Sequence, residues 1–189
     1  MFGALLSFCG AQESVPPKEA IARFGTTVVA SSGLSGGIYH ISPGTPKLPK
    51  FKRLKPLGFI YTTRLNVPES NFMEGFPGVT GRFEWFAIDY NGRFWIEKPG
   101  KYQFSLASDD GSKLYIDRRM VIRNDGIHPT ITREGNITLT RGVHSIRVSY
   151  FQGPGGGVAL ILRVAEAGEK WRIFDTDEFR PPPNTSNWR

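Results

Sequence analysis

Apolar and polar residues alternate over Gly100–Leu106, placing Tyr102, Phe104 and Leu106 on one face. That period of two predicts a strand with one face buried. The turn formers Ser108-Asp109-Asp110-Gly111-Ser112 follow, and then the run Leu114–Ile116. A β-hairpin with two adjacent carboxylates at its tip is the expected form. Similar patterning predicts strands at Leu57–Leu65, Phe83–Tyr90, Arg93–Glu97, Met120–Arg123, Ile137–Thr140, Gly142–Phe151 and Val158–Val164. Asn91-Gly92 reads as a tight turn joining Phe83–Tyr90 to Arg93–Glu97. About nine short strands, spaced by turns every 8–12 residues, is the pattern of an all-β sandwich or barrel.

The first part of the chain reads differently. Ser14–Phe24 is expected to form a short helix, with Ser14 as cap, Pro16 and Pro17 in the first turn and Gly25 at the end. Thr26–Ala30 is a β-branched run and a candidate strand. Ser31–Gly37 is expected to be a flexible link of Ser and Gly. The expected organisation is an extension over residues 1–36, a folded domain over 37–180 and an irregular tail over 181–189. Met1–Phe8 is apolar, too short to span a bilayer and without a charged leader. It reads as a segment tied down against a neighbouring subunit.

Composition narrows the classes. The 22 Gly and 14 Pro suit many turns. A single Cys excludes an internal disulfide and argues against a zinc site. The formal charge is +7, and Lys47, Lys50, Lys52, Arg53 and Lys55 cluster in one Pro-rich stretch expected to be extended and exposed. No nucleic-acid-binding motif accompanies that cluster.

The chemistry of interest lies at Asp109 and Asp110. Adjacent strand residues point to opposite faces, so these carboxylates can share one cation only where the backbone bends between them, through a turn or a cis peptide bond. Calcium, which takes several oxygen ligands, suits such a site best. The plainer alternative is an Asx turn with both carboxylates in water. Elsewhere, His40, His128 and His144 lack metal-ligand spacing. Glu84 and Asp89 read as solvated strand residues, and Trp85, Trp95 and Trp171 as packing residues. Asn136-Ile-Thr138 and Asn184-Thr-Ser186 are formal glycosylation sequons. No catalytic constellation is present, and no catalytic residue is expected.

The stretch Gly100–Asp117, followed by Val121–His128 and Gly142–Tyr150, resembles the PA14 domain, over about residues 37 to 179. The resemblance implies an antiparallel β-sandwich in an extracellular or cell-surface setting. It also implies that Asp109 and Asp110, joined by a cis peptide, hold Ca²⁺. A second loop, best matched by Gln152–Gly157, would add oxygen ligands, with Gln152 beside the metal and Gly153, Gly155 and Gly156 beside a bound glycan.

The expected function is therefore a calcium-dependent carbohydrate-binding or adhesive module with a glycan partner, no nucleic acid and no membrane span. The alternative is a structural subunit of an extracellular homo-oligomer, filament or tube, with residues 1–36 as its docking arm. An enzyme ranks last.

Overall fold

The structure, a computed structural model, describes residues 33–183 and 185. The expectations for residues 1–32 and for Asn184 lie outside the described residues. Eleven strands form among the described residues, all paired antiparallel. In chain order they are β1 (Leu34–His40), β2 (Gly58–Thr62), β3 (Asn66–Asn71), β4 (Phe86–Ile96), β5 (Gly100–Asp109), β6 (Ser112–Ile116), β7 (Arg119–Asn124), β8 (Ile131–Leu139), β9 (Gly142–Gln152), β10 (Gly157–Glu166) and β11 (Arg172–Ile173). One sheet has the order β2-β1-β4-β9-β6-β7; the other has β11-β10-β5-β8, with β3 added beside β10.

Alternation decides which side chains enter the space between the sheets. From one sheet come Phe86, Ile88, Tyr90, Phe94 and Ile96 of β4 and Ile146, Val148 and Tyr150 of β9. Tyr102, Phe104 and Leu106 of β5 face them with Leu160, Leu162 and Val164 of β10. Full burial of each large apolar side chain contributes about 1.5–3 kcal/mol. Phe174 and Phe179 stack at 5.2 Å and plug one end of the core. A smaller cluster (Ile41, Phe51, Ala87 and Phe151) sits apart from the main core.

Four expectations need correction. First, Asn91-Gly92 is no turn: β4 runs straight through it and pairs with β9 along its whole length. A methyl on Gly92 would lie 2.6 Å from the Gly33 carbonyl and 2.8 Å from Leu34, so close packing explains this glycine. Second, the expected link Ser31–Gly37 already belongs to β1 from Leu34 onward. Gly36 lies against the Tyr90 ring, where a methyl would come within 2.6 Å. Third, the Lys47–Lys55 stretch is not simply extended. Phe51–Arg53 makes a single 3-10 turn that buries Phe51, and Asp125 accepts from the Leu48 amide at 2.8 Å. Fourth, β5 and β6 do not pair as a hairpin, because they belong to different sheets. Asp110 and Gly111 are the whole connection between the sheets at that point.

Candidate functional site

At this crossover the Asp109–Asp110 peptide bond is cis. Both residues are buried. Ser108, next to last in β5, and Ser112, which begins β6, bond to each other through their hydroxyls at 2.7 Å. Asn124 Nδ2 donates to Ser108 Oγ at 3.0 Å and to the Ile131 carbonyl at 2.8 Å. This buried network clamps both sides of the crossover, and buried hydrogen bonds of this kind are costly to leave unmade.

The two carboxylates are treated differently by their surroundings. Asp110 accepts from the His128 amide at 3.0 Å through Oδ1 and from the Gly153 amide at 2.7 Å through Oδ2. No described residue donates a hydrogen bond to the Asp109 carboxylate. Burial, then the adjacent Asp110 charge, push the Asp109 carboxyl up to about 6; Glu69 adds to this and His128 opposes it. Burial also raises Asp110, outweighing the amide donors of Gly153 and His128. The pair is thus short of positive charge.

Gln152 lies directly behind the pair and is fully buried. Its Oε1 accepts from the Tyr150 hydroxyl, which also reaches the Asp109 carbonyl at 2.7 Å. Its Nε2 donates to the Gly157 carbonyl at 3.0 Å and lies 3.5 Å from Asp110 Oδ2. In this arrangement the side of Gln152 facing the carboxylates is a donor, and its amide oxygen is taken. The glycine loop approaches closely. A methyl on Gly157 would sit 2.6 Å from Asp109 Oδ2, and one on Gly153 would sit 3.2 Å from Asp110 Oδ2. A methyl on Gly155 would meet Phe72 at 2.9 Å and Glu84 at 3.1 Å. Gly156 accepts from the Phe72 amide at 3.2 Å.

A family model for the PA14 domain matches residues 31–175. The chain belongs to the PA14 domain family. Similar solved structures include the PA14 sugar-binding domain from an RTX adhesin, at 20% identity and a TM-score of 0.63. It covers 78% of this chain, and this chain covers 97% of it. The PA14 domain of the MpAFP antifreeze protein matches at 17% identity and TM-score 0.65, over 77% of this chain and 88% of that one. The epithelial adhesin 9 A domain from Candida glabrata, solved in complex with Galb1-3GlcNAc, matches at 13% identity and TM-score 0.55. That match spans 78% of this chain and 87% of the adhesin domain. No curated protein sequence matches this chain.

Within this PA14 domain, sequence reasoning reached Asp109, Asp110 and the glycine loop. It missed the parts that hold them: Tyr150, the His128 amide, and the Ser108–Ser112–Asn124 network. The serines flanking the aspartates were the available signal, since two short hydroxyl side chains four residues apart can bond each other across a tight crossover.

A third carboxylate lies at the other end of β6. Asp117 accepts from His144 Nδ1 at 2.6 Å, the Ser145 amide at 2.9 Å and Ser145 Oγ at 3.3 Å. His144 is buried and bonds the Thr140 carbonyl through Nε2 at 2.8 Å. Burial alone would raise Asp117, but the bonds from His144 and Ser145 outweigh it and hold the carboxyl below its ordinary value.

The remaining candidates stay apart. Asp89 is bonded to Arg147 and Ser149, whereas Glu84 lies beside Gly155. Trp95 donates to Glu97 at 2.9 Å, and Trp171 is partly exposed. Among the described residues, no three His, Cys, Asp or Glu side chains converge to hold a metal. No described helix is long and apolar enough to cross a membrane.

Proposed function

We propose that this PA14 domain is a calcium-dependent carbohydrate-binding module displayed outside the cell, acting by adhesion rather than catalysis. The observation that carries the reading is the Asp109 carboxylate: buried, beside a second carboxylate, and without a hydrogen-bond donor. The donor set fits a hard cation, because the groups facing the site carry oxygen and no sulfur. Asp109 and Asp110 would supply the charged ligands. Backbone carbonyls, water and sugar hydroxyls would complete a calcium shell of six to eight oxygens. Apart from Pro154 the Gly153–Gly157 loop is all glycine, which leaves room for a glycan to reach the ion. Gln152 would brace Asp110 from behind. The similarity to a sugar-binding PA14 domain from an RTX adhesin and to the Candida glabrata adhesin domain solved in complex with Galb1-3GlcNAc supports the glycan class.

Calorimetry with Ca²⁺, with and without EGTA, followed by glycan-array binding in both conditions, tests this. Calcium binding lost in Asp109→Asn, with array signals that vanish in EGTA, supports it. Saturable glycan binding in EGTA, or no heat with millimolar Ca²⁺, defeats it.

A second reading has its own observation. Gly58–Thr62 is an edge strand with no charged side chain, next to exposed Leu57, with Phe59 and Tyr61 exposed on the strand. Such an edge invites strand addition. Homo-oligomerisation through residues 1–36 would place a neighbour's segment there. Light scattering of the full chain against a chain lacking residues 1–30 decides it: an assembly that the deletion converts to a folded monomer supports the arm, and a monomer in both rejects it.

A further inference from the structure

We propose that the outer face of the six-stranded sheet holds a second ligand site, for a carboxylate-bearing saccharide such as a uronate unit. It is independent of the Asp109–Asp110 reading. The site is a concave cavity of about 610 Å³, whose lining includes Asn91, Tyr115, Arg118, Ser145 and Arg147. That volume suits a small ligand.

Arg147 is the built part. Its guanidinium lies between the rings of Phe51, at 5.7 Å, and Tyr115, at 5.4 Å. Nε donates to both Asp89 oxygens, at 2.8 and 3.1 Å, and Ser149 Oγ fixes Asp89 at 2.7 Å. The guanidinium is thus oriented through one nitrogen, while its terminal N–H groups bond no described residue. Planar terminal N–H pairs match a carboxylate in bidentate fashion.

Arg118 supplies a second cation. It and Asp117 form the two-residue turn between β6 and β7, with φ of 65° and 49°. Asn-Gly is the ordinary choice for such a turn, and a left-handed non-Gly residue costs roughly 1–2 kcal/mol. The three hydrogen bonds on Asp117 hold the turn against that cost. The result presents Arg118 at the cavity wall, with no ion pair or hydrogen bond to a described residue.

The neutral groups select among carboxylates. Asn91 Nδ2 donates to the Asp89 carbonyl at 3.1 Å, which leaves Oδ1 as an acceptor. The Tyr115 hydroxyl bonds no described residue. A guanidinium fork beside one free acceptor and one hydroxyl matches a carboxylate flanked by ring hydroxyls. An acidic peptide side chain would leave both neutral groups unused.

The test is calorimetry in EGTA with trigalacturonate, maltotriose and a glutamate-rich peptide, with two-dimensional amide NMR on the same samples. The expected result is binding of trigalacturonate alone, with amide shifts at Asn91, Arg118 and Ser145. Affinity should fall about tenfold in Arg118→Ala, the loss of one charge-assisted contact. Asn91→Asp should weaken it further by like-charge contact, and Asp109→Asn should leave it unchanged. Melting curves establish that each variant folds. The proposal is overturned by no binding, by tighter binding of the peptide or of maltotriose, or by a requirement for calcium. It is also overturned if Lys47→Ala with Lys52→Ala weakens binding as much as Arg118→Ala, since the surface charge would then act without a site.

Discussion

Strand β6 is five residues long and carries carboxylates at both ends, yet the two ends behave in opposite ways. At its start, Asp109 and Asp110 are buried together, and their carboxyls sit above the ordinary range. Just past its end, Asp117 receives three hydrogen bonds, one from a buried histidine, and its carboxyl sits below that range. The difference is the supply of donors. Three hydrogen bonds from its own chain make Asp117 a structural anchor, whereas Asp109 receives none on its carboxylate and the two amide donors to Asp110 do not offset the burial of the pair. A surplus of buried negative charge in a cleft is a sign of a site, and a satisfied carboxylate is a sign of architecture.

The largest effect expected from this contrast is on metal-linked stability. Calcium at a hundredfold excess over its Kd should stabilise the protein by about 2.7 kcal/mol. Asp109→Asn with Asp110→Asn should abolish that gain. Asp109→Asn alone should melt no lower than the calcium-free wild type, since it removes a disfavoured buried charge and breaks no hydrogen bond, whereas Asp110 accepts from two backbone amides. Differential scanning calorimetry with and without EGTA reads both outcomes, and an Asp109→Asn variant that melts well below the calcium-free protein would break the contrast.

Next in size is the other end of the strand. Asp117→Ala should cost about 1–3 kcal/mol, because it leaves Nδ1 of the buried His144 ring without its partner. Chemical denaturation measures it, and the loss should be equal with and without calcium.

A smaller effect is expected from Gly157→Ala, whose methyl would press on Asp109 Oδ2. The fold should persist while calcium affinity falls about tenfold, if the carboxylate shift forfeits one charged contact. Calorimetry gives the Kd directly.

The contrast also extends to pH. Asp109 titrates near 6 in the fold and lower when unfolded. Its charged form is disfavoured by folding, so the calcium-free protein gains stability as pH falls from 7 toward 4. The calcium-induced rise in Tm should shrink over the same window as protons compete. Asp117 has the opposite sign: its contribution is complete above the ordinary carboxylate range and is lost only as pH falls through its depressed folded value. A pH series of melts on Asp117→Ala against wild type separates the two.

Much of the fold was legible because alternation is a direct record of which face is dry. Tyr102, Phe104 and Leu106, or Ile146, Val148 and Tyr150, could be read off as inward rows. What alternation does not record is which strands pair. Asp-Asp-Gly has the composition of a hairpin tip, yet here it joins two sheets, because β6 finds its partners in β7 and β9. Asn91-Gly92 misled for a related reason, since a glycine needed for close packing looks the same as one needed for a turn. Strand β3 was hidden by Pro68 and its polar composition, which suits an edge beside β10. In the site, the acidic pair was visible, but the roles of Tyr150 and Gln152 depend on side-chain direction, which spacing alone does not fix.

The loop opposite the aspartates meets them with main chain at Gly153 and Gly157, which lie so near the carboxylates that neither can acquire a side chain without displacing one. That wall cannot be tailored by mutation. If the pair holds calcium, what the domain prefers is set instead by the side chains that border this loop. There, exposed Ile127 reaches to 3.5 Å from the Gly153 methyl position, and Phe72 and Glu84 border Gly155.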